Sequence, residues 1–281
     1  MDRLIYYPGF EISDAEWTKF ALLYLDTLSP IIPVAGDMYL SESFRKLRDE
    51  TDLIDVHRPD YDEGYRATLD ALDQVEKILM HPERYEPIFK RRELVSTWRR
   101  PESHKIELFQ DKYTDDWEHF CVSKKLATRS SRGIYISKDL TDVYMTILAQ
   151  AIADSKGASV ITDQRSLDAY SVFIRKTDHP DHDVLHTAQS VLELKLPRNI
   201  RDLSLDAVIR HRNRPGFREK QRAFRRALDE FLSDAESGGA SEKKFLTSLG
   251  STWSDLSDDV LKVGTGTVTF GLGVSHPRGR C

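Results

Sequence analysis

Asp142 and Asp163 carry the main chemical suggestion in this sequence. The apolar pattern predicts a helix over 139–156, with Val143, Ile147 and Ala151 in register and Gly157 placed to end it. Asp142 then lies in the first turn of that helix. Asp163 directly follows the strand expected at 158–162. The helix carries the chain away by about 20 Å at 1.5 Å per residue, and the strand returns it by about 17 Å at 3.3 Å per residue. Both carboxylates are therefore expected at one edge, the carboxyl end of the strands, where open α/β sheets place their sites. Lys138 and Asp139 fall there too, and Asp37 joins them if the first strands share the sheet. Carboxylates gathered this way could hold a hard divalent cation such as Mg²⁺ or Mn²⁺. Such an ion lowers the pKa of a bound water and stabilises an attacked phosphate. A plainer reading stands beside this one. Aspartate is favoured at a helix start by the dipole, and after a strand as a turn residue.

The elements that would position these groups are legible in part. Leu4-Ile5-Tyr6-Tyr7 reads as a strand stopped by Pro8-Gly9. Ser13-Asp14-Ala15-Glu16 matches a capping box, opening a helix striped by Trp17, Phe20, Ala21, Tyr24 and Leu28. Ile31-Ile32-Pro33-Val34 reads as a second strand, completing a strand–helix–strand unit that is normally parallel. Helices are expected at 42–50 and 62–80, the latter with Tyr65, Leu69, Leu72, Val75 and Leu79 as its apolar face. Another starts at Asp115-Asp116-Trp117. Ile134-Tyr135-Ile136 reads as a strand. With the helix at 139–156 and the strand after it, it makes a second strand–helix–strand unit.

The fold expected is α/β: a small, mostly parallel sheet flanked by helices. A core at 1–177 would carry a helical insertion at about 42–127, followed by a helical portion at 178–236 and a linker with a loose Gly/Thr-rich tail at 237–281. The chain has 281 residues, 40% of them apolar, enough for a core and against wholesale disorder. Two cysteines, Cys121 and Cys281, exclude a disulfide scaffold and a cysteine-based zinc cluster. No apolar run is long enough to span a membrane or to read as a leader, so a cytoplasmic setting is expected.

The net charge is −5, yet ten Lys or Arg stand against three acidic residues between Arg198 and Arg226. Arg210, Arg212, Arg214, Arg218, Arg222 and Arg225 are candidates for binding a phosphate backbone. The alternative is a solvated amphipathic helix. Phe217, Phe224, Leu228 and Phe231 would form its inner face, and acidic neighbours would meet its arginines. Asp178, His179, Asp181, His182, Asp183 and His186 form the densest His and Asp cluster. His182 and His186 have the spacing of two metal ligands on a helix, but Pro180 favours a solvated loop. No nucleophile motif, phosphate-binding glycine loop or dinucleotide fingerprint is present.

Thr141-Asp142-Val143, Ala149, Ala151, Ala153 and Gly157, then Val160-Ile161-Thr162-Asp163, resemble the C-terminal half of PIN-domain ribonucleases. That resemblance implies Asp142 and Asp163 as members of a metal-binding carboxylate cluster hydrolysing phosphodiesters in RNA or single-stranded DNA. Tyr24-Leu25-Asp26-Thr27 is similar to the family's opening strand motif, so Asp26 or Asp37 would complete the site. A second resemblance covers more of the chain. Ile5-Tyr6-Tyr7-Pro8, Trp17, Ala21-Leu22-Leu23-Tyr24-Leu25-Asp26, Ile31-Ile32-Pro33, Leu196-Pro197, Asp202-Leu203-Ser204, Ile209-Arg210 and Phe224-Arg225 are similar to a family of uncharacterised bacterial proteins. It implies a bacterial cytosolic protein, places Asp26 in a helix and specifies no reaction. The expectation ranked first is a binding or scaffold component with a protein partner, of a system directed at mobile DNA, without catalysis of its own. The alternative is the PIN-like nuclease.

Overall fold

The computed structural model of the protein describes residues 3–173, 188–237 and 242–276. The His and Asp cluster between Asp178 and His186 lies outside the described residues. The chain is an α/β protein whose elements fall into two compact units. One comprises Met1–Glu11, Leu28–Phe44 and Ile54–Lys176; the other comprises Ile12–Thr27, Arg45–Leu53 and Thr177–Cys281.

In chain order the elements begin with β1 (Leu4–Tyr6), α1 (Ala15–Tyr24) and β2 (Leu28–Pro30), then a 3₁₀ helix at Val34–Tyr39. Helices α2 (Glu42–Glu50), α3 (Tyr61–Met80), α4 (Pro82–Phe89) and α5 (Leu94–Trp98) follow. Next come β3 (Ile106–Phe109), a 3₁₀ turn at Gln110–Lys112, α6 (Asp115–Ser123), β4 (Ala127–Arg129) and β5 (Gly133–Ile136). Helix α7 (Lys138–Lys156), β6 (Ser159–Ile161) and a 3₁₀ helix at Arg165–Phe173 lead to β7 (Ala188–Leu196). The rest is α8 (Leu205–Arg212), α9 (Pro215–Ser237), α10 (Glu242–Leu261) and β8 (Val268–His276).

The first unit holds the parallel sheet, in the order β2-β1-β6, with Leu4 paired to Leu28 on one side and to Ser159 on the other. Strand β1 is central and wholly buried. Helix α7 packs on β1 and β6 and against α3. Its ends are set locally: the Ser137 hydroxyl accepts from the Leu140 amide, and Gly157 closes it in the left-handed region at φ 60°. Trp98, Trp117 and Tyr144 fill the core, with the last two rings 4.8 Å apart.

Four expectations are corrected here. The helix α1 is capped by Asp14 rather than Ser13, its carboxylate accepting from the amides of Glu16 and Trp17. It ends at Tyr24 rather than Leu28, so β2 begins three residues before the expected strand. Pro33, which has no N–H for a ladder, opens the 3₁₀ helix where strand was expected. Strand β5 does not join the parallel sheet: it is the middle strand of an antiparallel sheet, β3-β5-β4. A tight turn closes locally from β4 to β5, which removes β5 from any crossover. Gly133 is required at this point, because its φ is 154° and a Cβ would meet the Leu108 carbonyl oxygen at 2.1 Å.

A fifth correction concerns α3. Its buried face is Gly64, Ala67, Thr68, Ala71, Val75 and Ile78, while Tyr65 and Leu69, expected inside, are exposed. Small residues let α3 approach α7 closely, and this turns the bulky stripe outward.

In the second unit α1 packs on α8, and α9 on α10. Phe217 and Phe224 are buried on α9 as expected. Helix α1 belongs with the C-terminal helices rather than with the parallel sheet. The segment expected as linker and loose tail carries α10 and β8, and β8 pairs antiparallel with β7 from Ala188↔His276 to Leu196↔Val268. The period-two run Val268, Phe270, Leu272, Val274 was the signal for that strand.

Candidate functional site

The candidate carboxylates are held by the first unit, with Asp26 the exception, and each of those in the first unit has its own partner. Asp163 follows β6 at the carboxyl edge of the parallel sheet and accepts from the Tyr6 hydroxyl at 2.9 Å. Tyr6 ends the central strand, and its hydroxyl also reaches the Glu11 carbonyl at 3.1 Å. Asp142 lies in the second turn of α7 rather than the first, and it is buried. Lys138, one turn earlier, meets its Oδ2 at 2.6 Å. Burial raises the Asp142 pKa, opposed by Lys138. Asp139 pairs with Arg91 at 3.2 Å, and Asp37 with Arg58 at 2.6 Å. Asp26 belongs to the second unit, and it follows α1 rather than lying within it. Its carbonyl oxygen takes a hydrogen bond from Arg212. Among the described residues, no group of three or more His, Cys, Asp or Glu is placed to hold a metal ion.

A carboxylate outside that candidate set is well satisfied in the first unit. Glu63 is buried and accepts from His57 Nε2 at 2.7 Å, Ser155 Oγ at 2.9 Å and the Asp60 amide at 3.1 Å. Burial alone would raise its pKa; the His57, Asp60 and Ser155 hydrogen bonds outweigh it and lower the value. The Asp60–Glu63 capping box was the available signal.

Lys112 is another such residue, 2% exposed. Its Nζ lies 3.7 Å from Met145 Sδ and 4.7 Å from the centre of the Phe10 ring. Burial brings its pKa down from 10.5 to about 7, the neighbouring Asp111 opposing.

The six candidate arginines divide sharply in the second unit. Arg212, at 0% exposure, is a structural residue and not a phosphate contact. Its Nη1 donates to the carbonyls of Leu22 and Leu25 at 2.7 Å, and Nη2 to that of Asp26 at 2.6 Å and to Asp52 at 3.0 Å. These carbonyls belong to the open C-terminus of α1, and the guanidinium fork closes it. Arg218 is also engaged, by the other oxygen of Asp52. Arg210, Arg214 and Arg222 are exposed, as is Arg226; Arg225 is half-buried. No carboxylate lies in ion-pair range of Arg210, Arg214, Arg222 or Arg226 among the described residues. Arg222 is close enough to Arg218 to help lower its pKa after burial.

No protein-family model, no curated protein and no solved structure matches the chain. Among the described residues no helix is long and apolar enough to cross a membrane.

Proposed function

We propose that the protein is a binding component without catalysis of its own, which engages nucleic acid through the arginine face of α8 and α9. One observation carries the reading. After Arg212 and Arg218 are absorbed by the fold, Arg210, Arg214, Arg222 and Arg226 remain exposed, with no carboxylate in ion-pair range among the described residues. Arg222 and Arg226 are four apart and so lie about 6 Å apart along one side of α9, with Arg214 just before that helix and Arg210 on α8. An unneutralised row of this kind attracts a phosphate backbone by counterion release. It suits a component of a bacterial system directed at mobile DNA.

The test is fluorescence anisotropy with labelled single-stranded and duplex DNA over a range of salt. Four phosphate contacts predict a slope of log affinity against log salt of about −3 to −4, depending on the strand form. Each Arg→Ala change at 214, 222 or 226 should reduce that slope by about one, uniformly across sequences. A wild-type protein that fails to bind at low salt would sink the proposal.

The second reading, a PIN-like nuclease using Mg²⁺ or Mn²⁺, is favoured by the position of Asp163 beside Tyr6 at the carboxyl edge of the sheet. RNA and single-stranded DNA incubated with Mn²⁺ decide it. The binding reading expects identical background for wild type and the Asp142→Asn, Asp163→Asn double variant. Metal-dependent cleavage lost in that variant would establish the nuclease instead.

A further inference from the structure

We propose that the outward face of α3, made by Tyr61, Tyr65 and Leu69, docks a Lys/Arg-rich amphipathic helix of a partner protein. The three residues are four apart and 74%, 41% and 46% exposed. The two tyrosine rings lie parallel, 6.1 Å apart with 10° between their planes. The opposite side of α3 already supplies the core with Ala67, Ala71, Val75 and Ile78. A surface helix of a monomer needs one apolar stripe, and this one has two. An aromatic and aliphatic stripe left facing water marks a contact surface. Its i, i+4, i+8 spacing is that of one helix face able to pack on another helix.

Charge decides the occupant. Helix α3 carries Asp62, Glu63, Asp70, Asp73 and Glu76 against Arg66 and Lys77. Lys77 is held by Asp73 at 2.8 Å; Arg66 has no carboxylate in ion-pair range among the described residues. Glu63 is buried, and Asp62 and Glu76 face solvent. The rim is therefore acidic, and tyrosine faces attract guanidinium and ammonium groups. A cationic helix satisfies both the stripe and its border. The inference is independent of the nucleic-acid reading and of α9.

Two synthetic peptides of about 18 residues, five helical turns, test it. They share one leucine pattern and carry Lys and Arg, or Glu, on the polar face. Labelled peptide is titrated with the full chain at physiological ionic strength. The basic peptide should bind in the micromolar range and the acidic one should not. The Tyr65→Ser, Leu69→Ser double variant leaves net charge unchanged and should weaken binding at least about tenfold. Val172→Ser, another exposed apolar position, should bind like wild type. Absent binding, equal binding by the double variant, or equal affinity for the acidic peptide overturns the proposal. So does a wild-type dimer in sedimentation that Leu69→Ser dissolves, since the occupant is then a second copy of the chain.

Discussion

Arg212→Ala is expected to destabilise the second unit by about 3–5 kcal/mol, the usual cost of removing one partner from a buried charged network. The guanidinium serves four oxygens at once: three carbonyls at the C-terminus of α1 and the Asp52 carboxylate. Deleting it removes the side-chain donor of the Leu22 and Asp26 carbonyls, leaves the Leu25 carbonyl with Gln221 and leaves Asp52 with Arg218 alone. Arg212→Lys should recover only a minor part, because an ammonium cannot span the fork of acceptors. Urea unfolding gives the loss. Amide hydrogen exchange should place it in α1 and α8, leaving α3 and α7 protected. A loss under about 1 kcal/mol, the size of a surface change, would show that Arg212 does not hold the C-terminus of α1.

Arg212 also shows where sequence reading stops. In sequence it is one arginine among six in a basic run, and nothing local marks it. Its burial depends on α1 ending at Tyr24, which leaves carbonyls that the guanidinium satisfies together with Gln221. Features fixed by neighbours in the chain were legible: the stop at Gly157, strand β1 and the helix from Asp115. Features fixed by distant approach were not. Tyr65 and Leu69 fit a helical stripe as well as Ala67 and Ala71 do, and hydrophobicity ranks the larger pair as core. The close approach of α7 favours the smaller pair. Ile134-Tyr135-Ile136 is strand-like in either sheet, and only its pairing with β3 and β4 makes it antiparallel. Of the candidate site, the placement of Asp163 after β6 was readable; the Arg58 partner of Asp37 and the Tyr6 partner of Asp163, distant in sequence, were not.

Lys112→Met is expected to stabilise the protein near pH 6, by about 1–4 kcal/mol, the gain seen when buried charges give way to apolar residues of similar volume. The reasoning runs through protonation. Lys112 Nζ faces a thioether and an aromatic ring, and the described residues place no carboxylate in ion-pair range of it; Asp111, its chain neighbour, accepts from the Val34 amide. With a folded pKa of about 7 against 10.5, the unfolded chain binds more protons between those values. Stability conferred at this position therefore rises with pH across that window. Below about 7 both states are protonated and the penalty is complete; at 1.36 kcal/mol per unit its ceiling is about 5 kcal/mol. Above about 10.5 the penalty is gone. Methionine carries no charge at any pH and packs well against Met145 and Phe10. The advantage of the variant over wild type should therefore shrink as pH climbs from 7 towards 10.5, while other titrating groups cancel in the difference. Urea unfolding of both proteins at matched pH values measures it. A constant difference across the range, or a variant less stable than wild type at pH 6, would mean that Lys112 holds its charge in the folded state through solvent.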